Sequence, residues 1–251
     1  MADELLTAVL NESGLRVLLC TSTGMAREAQ KIQSALSASA AVLARGLTAG
    51  VLLGALQKHK QRVNFQLECD GPLRGFFVDA DSEGTARGYV KNPNVAYSGA
   101  PGAFAWRPVY GNAGYLSVIR DLGEGEFYRS SVELEAFDLS QDLERYFQIS
   151  EQLDSRVALE VLPSEGESLG RVAGLLLQAL PDGDRAALEA HGLRMREGAL
   201  HQALEAHPEM GAAGLLSVLF PEAAPDITAR LPVAYRCTCN RDRVVRALLA
   251  V

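Results

Sequence analysis

Arg62-Val-Asn-Phe-Gln-Leu-Glu-Cys-Asp-Gly-Pro-Leu-Arg-Gly-Phe-Phe-Val-Asp79 is the segment from which the fold class can be inferred first. Val63, Phe65 and Leu67 alternate with polar residues, which is the period of a strand with one buried face. Asp70-Gly71-Pro72 then favours a turn, and a second apolar run follows it. The segment predicts an antiparallel hairpin that opens a β-meander.

The flanking sequence adds both strands and helices to this meander. Residues 85–90, 114–120 and 126–132 are further strand candidates beside glycine-containing turns, as are 16–23, 156–162 and 171–180. Residues 25–56 indicate two helices with Ser37 as N-cap, and 138–153 indicate another with apolar Leu143, Phe147 and Ile149. The order predicts an α+β fold with a mixed N-terminal core of sheets and helices.

Three glycines recur four residues apart in the second of these helices. Gly46, Gly50 and Gly54 share one helix face, where the absence of side chains lets a neighbouring element approach closely. We therefore expect this helix to be buried against the predicted sheet.

The core is predicted to end at Pro181-Asp-Gly183, a strong helix and strand breaker. We place an α+β core domain at residues 1–181, a helical linker at 182–230 and a small C-terminal module at 231–251. Helices are expected at 186–190, 195–206 and 210–220. Their apolar faces are formed by six residues, namely Leu200, Leu204, Leu215, Leu216, Leu219 and Phe220. These faces either pack on the core or, if the helices detach, bind other proteins.

Composition excludes several classes of partner. The 251 residues carry a formal net charge of −7, which phosphate backbones and anionic lipids would repel. The basic run Lys58-His-Lys-Gln-Arg62 has few aromatic neighbours and is typical of a solvated helix end. An N-terminus reading MADELLTAVL lacks the basic start of a signal peptide. We expect a cytoplasmic protein that binds neither nucleic acid nor membrane.

The four cysteines fall into two groups. Cys20 and Cys69 lie in predicted strands, where a thiol usually acts as a small buried apolar group. Cys237 and Cys239 are one residue apart in Tyr235-Arg-Cys-Thr-Cys-Asn-Arg-Asp-Arg243, before an amphipathic stretch that Asn240 would cap. Nearby arginines and a helix N-terminus both favour thiolates, so this pair is the candidate for redox chemistry or metal binding.

A zinc site needs more ligands than this pair supplies. Structural zinc is bound by four side chains, and Cys237 and Cys239 form only half of such a set. His191, His201 and His207 are not at a recognised ligand spacing, and we expect them to be solvated surface groups on polar helices.

The Arg-Cys-Thr-Cys-Asn-Arg-Asp-Arg segment at 236–243 resembles the first zinc half-site of the heat shock protein 33 family (33 kDa chaperonin). The members of this family are redox-regulated holding chaperones. The resemblance extends through 69–73, 114–118 and 173–181 and is most specific at Tyr146-Phe-Gln-Ile-Ser-Glu-Gln-Leu153. It implies that reduced cysteines hold zinc, and that oxidation forms disulfides, releases the metal and unfolds the terminal module with part of the linker. Cys237 and Cys239 would be the first ligand pair and the redox-active residues.

The second ligand pair of the family pattern, a downstream Cys-x-x-Cys, does not occur within residues 1–251. A shortened form, a fragment and a natural variant without the switch are all compatible with this sequence. Without the second pair, zinc binding within one subunit is not expected, and the linker could then be held in a permanently active state.

The leading hypothesis is therefore a non-enzymatic stress-response chaperone that binds unfolded clients, prevents their aggregation and supports their refolding. The alternative is a thiol-disulfide oxidoreductase using Cys237 and Cys239, because a disulfide closing so short a loop would be strained and oxidising. Homodimerisation is also expected, since family members pair and the linker helices could be exchanged between subunits.

Overall fold

The structure, a computed structural model, describes residues 2–58, 61–97, 105–123, 126–164 and 169–237, together with Val245 and Leu249. The described residues form eleven β-strands and seven α-helices. The strands are β1 (Glu4–Leu10), β2 (Leu15–Thr21), β3 (Arg62–Cys69), β4 (Gly75–Asp81), β5 (Thr85–Val90), β6 (Gly114–Gly123), β7 (Glu126–Glu133), β8 (Ser155–Pro163), β9 (Leu169–Ala179), β10 (Asp226–Pro232) and β11 (Ala234–Tyr235). The helices are α1 (Thr23–Gln33), α2 (Ser37–Ala55), α3 (Arg107–Tyr110), α4 (Leu139–Tyr146), α5 (Arg185–Arg196), α6 (Ala199–Ala206) and α7 (Ala212–Leu219).

Two sheets organise the molecule. Sheet A has the strand order β10-β1-β2-β9-β8, and sheet B has the order β11-β5-β4-β3-β6-β7. The described pairs are antiparallel except β11 with β5, which is parallel. The α+β class inferred from the sequence is confirmed, as are the hairpins β4–β5 and β6–β7.

Helix α2 lies between the two sheets and forms the centre of the core. A methyl group built on Gly50 would lie 2.5 Å from Cγ1 of Val78, and one on Gly54 would collide with the main-chain carbonyl of Asp81. Both glycines therefore permit the close approach of α2 to β4, as the sequence predicts. The helix is long and apolar enough to span a membrane, but 94% of its most apolar window is buried inside the protein. Helix α2 is therefore a buried core helix.

The segment 138–153 begins as predicted and ends differently. Asp138 caps α4 by accepting hydrogen bonds from the main-chain N–H groups of Ser140 (3.0 Å) and Gln141 (3.2 Å). A five-residue π-helix, Phe147–Glu151, continues α4. Leu143 and Phe147 are buried four residues apart, but Ile149 is 53% exposed because a residue two positions after Phe147 lies on the opposite side of a helix.

Three elements differ from the sequence-based expectations. Strand β1 was not predicted at all, and the helix expected at 195–206 is divided between α5 and α6 at Glu197-Gly198. Residues 226–230, expected within a helical linker, instead form most of strand β10, which pairs with β1 at the edge of sheet A. The separation of residues 182–230 as a linker domain, and of 231–251 as a truncated module, stays a prediction.

Candidate functional site: the helical cover of sheet A

Helices α5, α6 and α7 cover the face of sheet A that points away from α2. Asp184 caps α5 by accepting hydrogen bonds from the N–H groups of Ala186 (2.8 Å) and Ala187 (3.1 Å). The six apolar residues identified from the sequence all lie at this contact and are at most 5% exposed; they are Leu200, Leu204, Leu215, Leu216, Leu219 and Phe220. In this conformation they pack on the core, which was one of the two roles considered for them.

The sheet contributes a matching apolar face. Alternate residues of three adjacent strands join the same cluster as the helices, namely Leu6, Ala8 and Leu10 of β1, Leu15, Val17 and Leu19 of β2, and Ala173, Leu175 and Leu177 of β9. The intervening residues Leu5, Leu18 and Leu176 point to the opposite face and join the cluster around α2. Sheet A is therefore apolar on both faces, and α5–α7 keep one of them from water.

Polar contacts hold the helical cover at its margins. The Arg171 guanidinium on β9 donates hydrogen bonds to the carbonyl oxygens of His207 (2.5 Å) and Met210 (2.7 Å), and Arg156 on β8 pairs with Glu189 on α5. His201 of α6 lies between Glu160 of β8, 3.3 Å from Nδ1, and Glu205, 3.4 Å from Nε2.

The histidines are less solvated than the sequence suggests. The His191 ring meets the Phe220 ring at a centroid distance of 5.1 Å, and burial together with the charge of Arg194 lowers the pKa of His191. His201 is half-buried. His207 is half-buried as well, so all three predicted surface histidines are only partly exposed, because the segments that carry them lie against sheet A.

The seam between the helical cover and the core is polar and open. A cavity of about 340 Å³ lies there, lined among others by Glu144, Glu160, Arg196 and His201. Burial raises the pKa of Glu144, whose carboxylate accepts a hydrogen bond from the N–H of Val157 at 2.8 Å. Water can enter this seam, so the apolar contact with sheet A is the main attachment of the helices.

A short strap, residues 226–236, connects the helical cover to the cysteine-bearing end. Its first part, β10, pairs with β1 of sheet A, and its second part, β11, pairs with β5 of sheet B through two residues. The main-chain N–H of Arg236 donates to the carbonyl of Ala86 (2.9 Å), and the Tyr235 hydroxyl donates to the carbonyl of Gly88 (3.2 Å). The strap therefore touches both sheets and ends beside Cys237.

The predicted redox residues are only partly described. Cys237 is exposed directly after the strap, whereas Cys239 and its amphipathic stretch lie outside the described residues, apart from Val245 and Leu249. Cys20 is buried and Cys69 half-buried, and burial raises the pKa of both thiols. The structural role expected for Cys20 and Cys69 agrees with these positions, since a raised pKa disfavours the reactive thiolate.

The described residues do not fit a zinc ion. Within residues 2–58, 61–97, 105–123, 126–164 and 169–237, no group of three or more His, Cys, Asp or Glu side chains is placed to hold a metal. The His residues of the helical cover lie on sheet A, whereas Cys237 follows the edge of sheet B.

Comparison with known proteins gives the class and then the family. The protein-family model described as "Hsp33 protein" matches residues 3–251 of this chain. The 33 kDa chaperonin of Geobacter sulfurreducens is 35% identical over 256 residues, covering 100% of this chain and 83% of that protein; the 33 kDa chaperonin of Geobacter sp. strain M21 is 34% identical, covering 100% and 85%. The crystal structure of the 33 kDa chaperonin from Thermotoga maritima superposes with a TM-score of 0.83 at 26% identity, covering 100% of this chain and 86% of that one.

These matches define a molecular chaperone and not an enzyme. The chain belongs to the Hsp33 family. The oxidoreductase considered from the cysteine pair is thereby set aside, because the matching proteins are named chaperonins.

Proposed function

We propose that this chaperone is a holdase that captures unfolding proteins when helices α5–α7 leave sheet A. The observation that carries the proposal is the single apolar cluster shared by the helices and the sheet. Detachment would expose two complementary apolar surfaces at once, the helix faces and the face of sheet A.

Such surfaces suit unfolded clients. Large exposed apolar patches bind apolar segments of other chains without requiring a particular sequence. Leu200, Leu204 and Leu215 are 0% exposed in the docked state, so the capture surface is hidden until release. The second, buried core around α2 is independent of these helices and would keep the body folded.

Oxidation of Cys237 and Cys239 is the proposed trigger. Two thiols and one molecule of hydrogen peroxide give one disulfide and two molecules of water, so the oxidant takes up both electrons and both protons. Cys237 is separated by Arg236 alone from a strand that has only two paired residues, Ala234 and Tyr235. A change in backbone geometry at Cys237 is therefore expected to unpair β11 first and then to loosen β10 and the helices that precede it.

Several further properties belong to the same proposal. We expect a cytoplasmic protein that acts under heat and oxidative stress and forms a homodimer, with exchange of α5–α7 as one route to pairing. Zinc is implied by the family resemblance through Cys237 and Cys239, and it would require ligands beyond the described residues.

Suppression of aggregation tests the proposal. The purified chain, reduced or oxidised with peroxide, is mixed with a heat-denatured test protein, and light scattering is recorded. Activity that appears on oxidation and is lost in the Cys237→Ser/Cys239→Ser variant supports the redox trigger, with Cys69→Ser as the matched control. Equal activity in the reduced protein would support capture and refute the trigger, and inactivity in both states would refute the proposed function.

A further inference from the structure

Strand β10, the first part of the strap, covers the outer edge of β1 in sheet A. On its other side β1 pairs with β2 along its whole length, Glu4–Leu10 with Leu15–Thr21. Because of this second partner, β1 keeps its place in sheet A when β10 leaves, and only its outer edge becomes unpaired. An unpaired strand edge presents main-chain N–H and C=O groups that can pair with another chain.

Strand β10 is held mainly by its main chain. Five of its seven residues are exposed, and the other two, Ile227 and Leu231, are half-buried. The ion pair between Arg230 and Glu4, at 3.5 Å, lies near the surface, where such pairs contribute little to stability. Since few apolar side chains would have to leave the core, β10 can separate from β1 at a low cost.

The hydrogen-bond ladder shows which main-chain groups of β1 face β10. The N–H of Val233 donates to the carbonyl of Asp3 at 3.1 Å, so the main-chain groups of Asp3 point to this edge. In an antiparallel pair these groups alternate along the strand, so Leu5 and Thr7 also direct their N–H and C=O groups toward β10, with Thr7 opposite Ala229. A strand that replaces β10 would meet the same groups.

Strand β10 complements this edge imperfectly. The register shifts between Thr7 and Ala8, which lie opposite Ala229 and Ile227, so Thr228 is an extra residue in the ladder. The Thr228 hydroxyl donates to the Thr7 carbonyl at 3.2 Å. An extended segment of another protein can pair with β1 in a regular register, without this interruption, and can therefore compete with β10.

The edge of β1 adjoins the apolar face proposed for capture. Leu6, Ala8 and Leu10 of β1 belong to the cluster that helices α5–α7 cover. A strand added in place of β10 would extend sheet A and place every second side chain beside this face. Main-chain pairing and apolar contact would therefore act on the same client segment.

We propose that β10 occupies the site of a client strand, and that an extended segment of an unfolding protein pairs with the freed edge of β1 when the strap leaves. The inference rests on the proposed function and adds to it a recognition site, the main-chain groups of Leu5 and Thr7. Strand addition suits clients of unrelated sequence, because every residue except proline carries the same main-chain donor and acceptor.

Two proline variants test the release of β10. Ala229→Pro removes an N–H group that faces β1 and should free β10, whereas Arg230→Pro, the matched control, removes one that points away from β1. Each reduced protein is titrated into a short fluorescent peptide of alternating Val and Thr, and binding is measured by anisotropy. Ala229→Pro should bind the peptide at least about 10-fold more tightly than the wild type, and Arg230→Pro should bind it like the wild type. Equal affinities of all three proteins overturn the proposal.

Hydrogen exchange verifies what the proline has changed. Amides of β10 should exchange faster in Ala229→Pro, while β3 and β4 keep their protection. A β10 that stays protected contradicts the proposal, since the ladder with β1 would then not be what holds it. If β3 and β4 also lose protection, Ala229→Gly, which only weakens the strand, replaces the proline variant in the same titration.

Methylation of the peptide distinguishes strand addition from apolar capture. N-methyl groups on every second residue, in each of the two phases, remove the donors of one strand edge and leave the side chains unchanged. At least one methylated peptide should bind Ala229→Pro at least about 10-fold more weakly, and the unmethylated peptide should restore protection at Leu5 and Thr7. Undiminished binding of both methylated peptides overturns this inference and leaves apolar capture intact. Aggregation suppression, measured separately, decides the proposed function.

Discussion

Truncation of Leu204 should loosen the helical cover while leaving the rest of the protein folded. Leu204 on α6 is fully buried in the cluster shared with sheet A. Leucine-to-alanine substitutions at such positions cost about 2–5 kcal/mol. A value near 3 kcal/mol would raise the population with detached helices roughly 150-fold, provided that the core does not unfold with them.

Native-state proteolysis measures this population. When opening and closing are fast, cleavage within residues 185–220 tracks the fraction of molecules in which the helices are detached. Leu193→Ala on α5 is the matched control, because Leu193 is 55% exposed and its truncation should change stability by less than about 0.5 kcal/mol. Cleavage of Leu204→Ala at wild-type rate, or equal acceleration in the core strands β3 and β4, would refute independent detachment.

Three further changes test other parts of the account. Gly50→Ala should destabilise the whole fold by about 1–3 kcal/mol in urea unfolding, because the added methyl group would contact Val78, and an unchanged midpoint would contradict the packing of α2. Arg171→Ala removes two hydrogen bonds that a charged side chain donates to the helical cover. Docking of the helices should lose at most about 1.5–3 kcal/mol for each bond, so cleavage within residues 185–220 should increase. Because burial in the docked state, together with the charge of Arg194, lowers the pKa of His191, protons bind the detached helices more readily. Docking should therefore weaken as pH falls below about 6.5 and level off below the docked pKa. His191→Gln should flatten this part of the pH dependence of cleavage, and an unchanged slope would show that other groups cause it.

The sequence predicts those parts of the fold that depend on local patterns. The hairpin at residues 62–81 follows from a two-residue period and a turn, and the glycine face of α2 follows from spacing alone. Strand β10 was missed because it becomes a strand by pairing with β1, more than 200 residues away, as in Ala229 with Thr7. Strand β1 was missed although it also forms a hairpin with the neighbouring strand β2, from Glu4 opposite Thr21 to Leu10 opposite Leu15.

The candidate site, too, could be predicted from the sequence only in part. The apolar faces of residues 200–220 can be read from helical spacing, but the surface they cover is assembled from β1, β2 and β9, which only the tertiary structure brings together. His201 illustrates the limit, because its partner Glu160 lies 41 residues away on β8 and shares no local pattern with it. The strap beside Cys237 was likewise hidden, since two of its residues form a strand only against β5.

Hydrogen exchange of the client-bound protein tests the central claim most directly. With a denatured test protein held in a soluble complex, main-chain amides of α5–α7 should exchange much faster than in the resting protein, while amides of α2, β3 and β4 keep their protection. Full protection of α5–α7 in a complex that holds its client would contradict the account, because capture would then proceed with sheet A still covered.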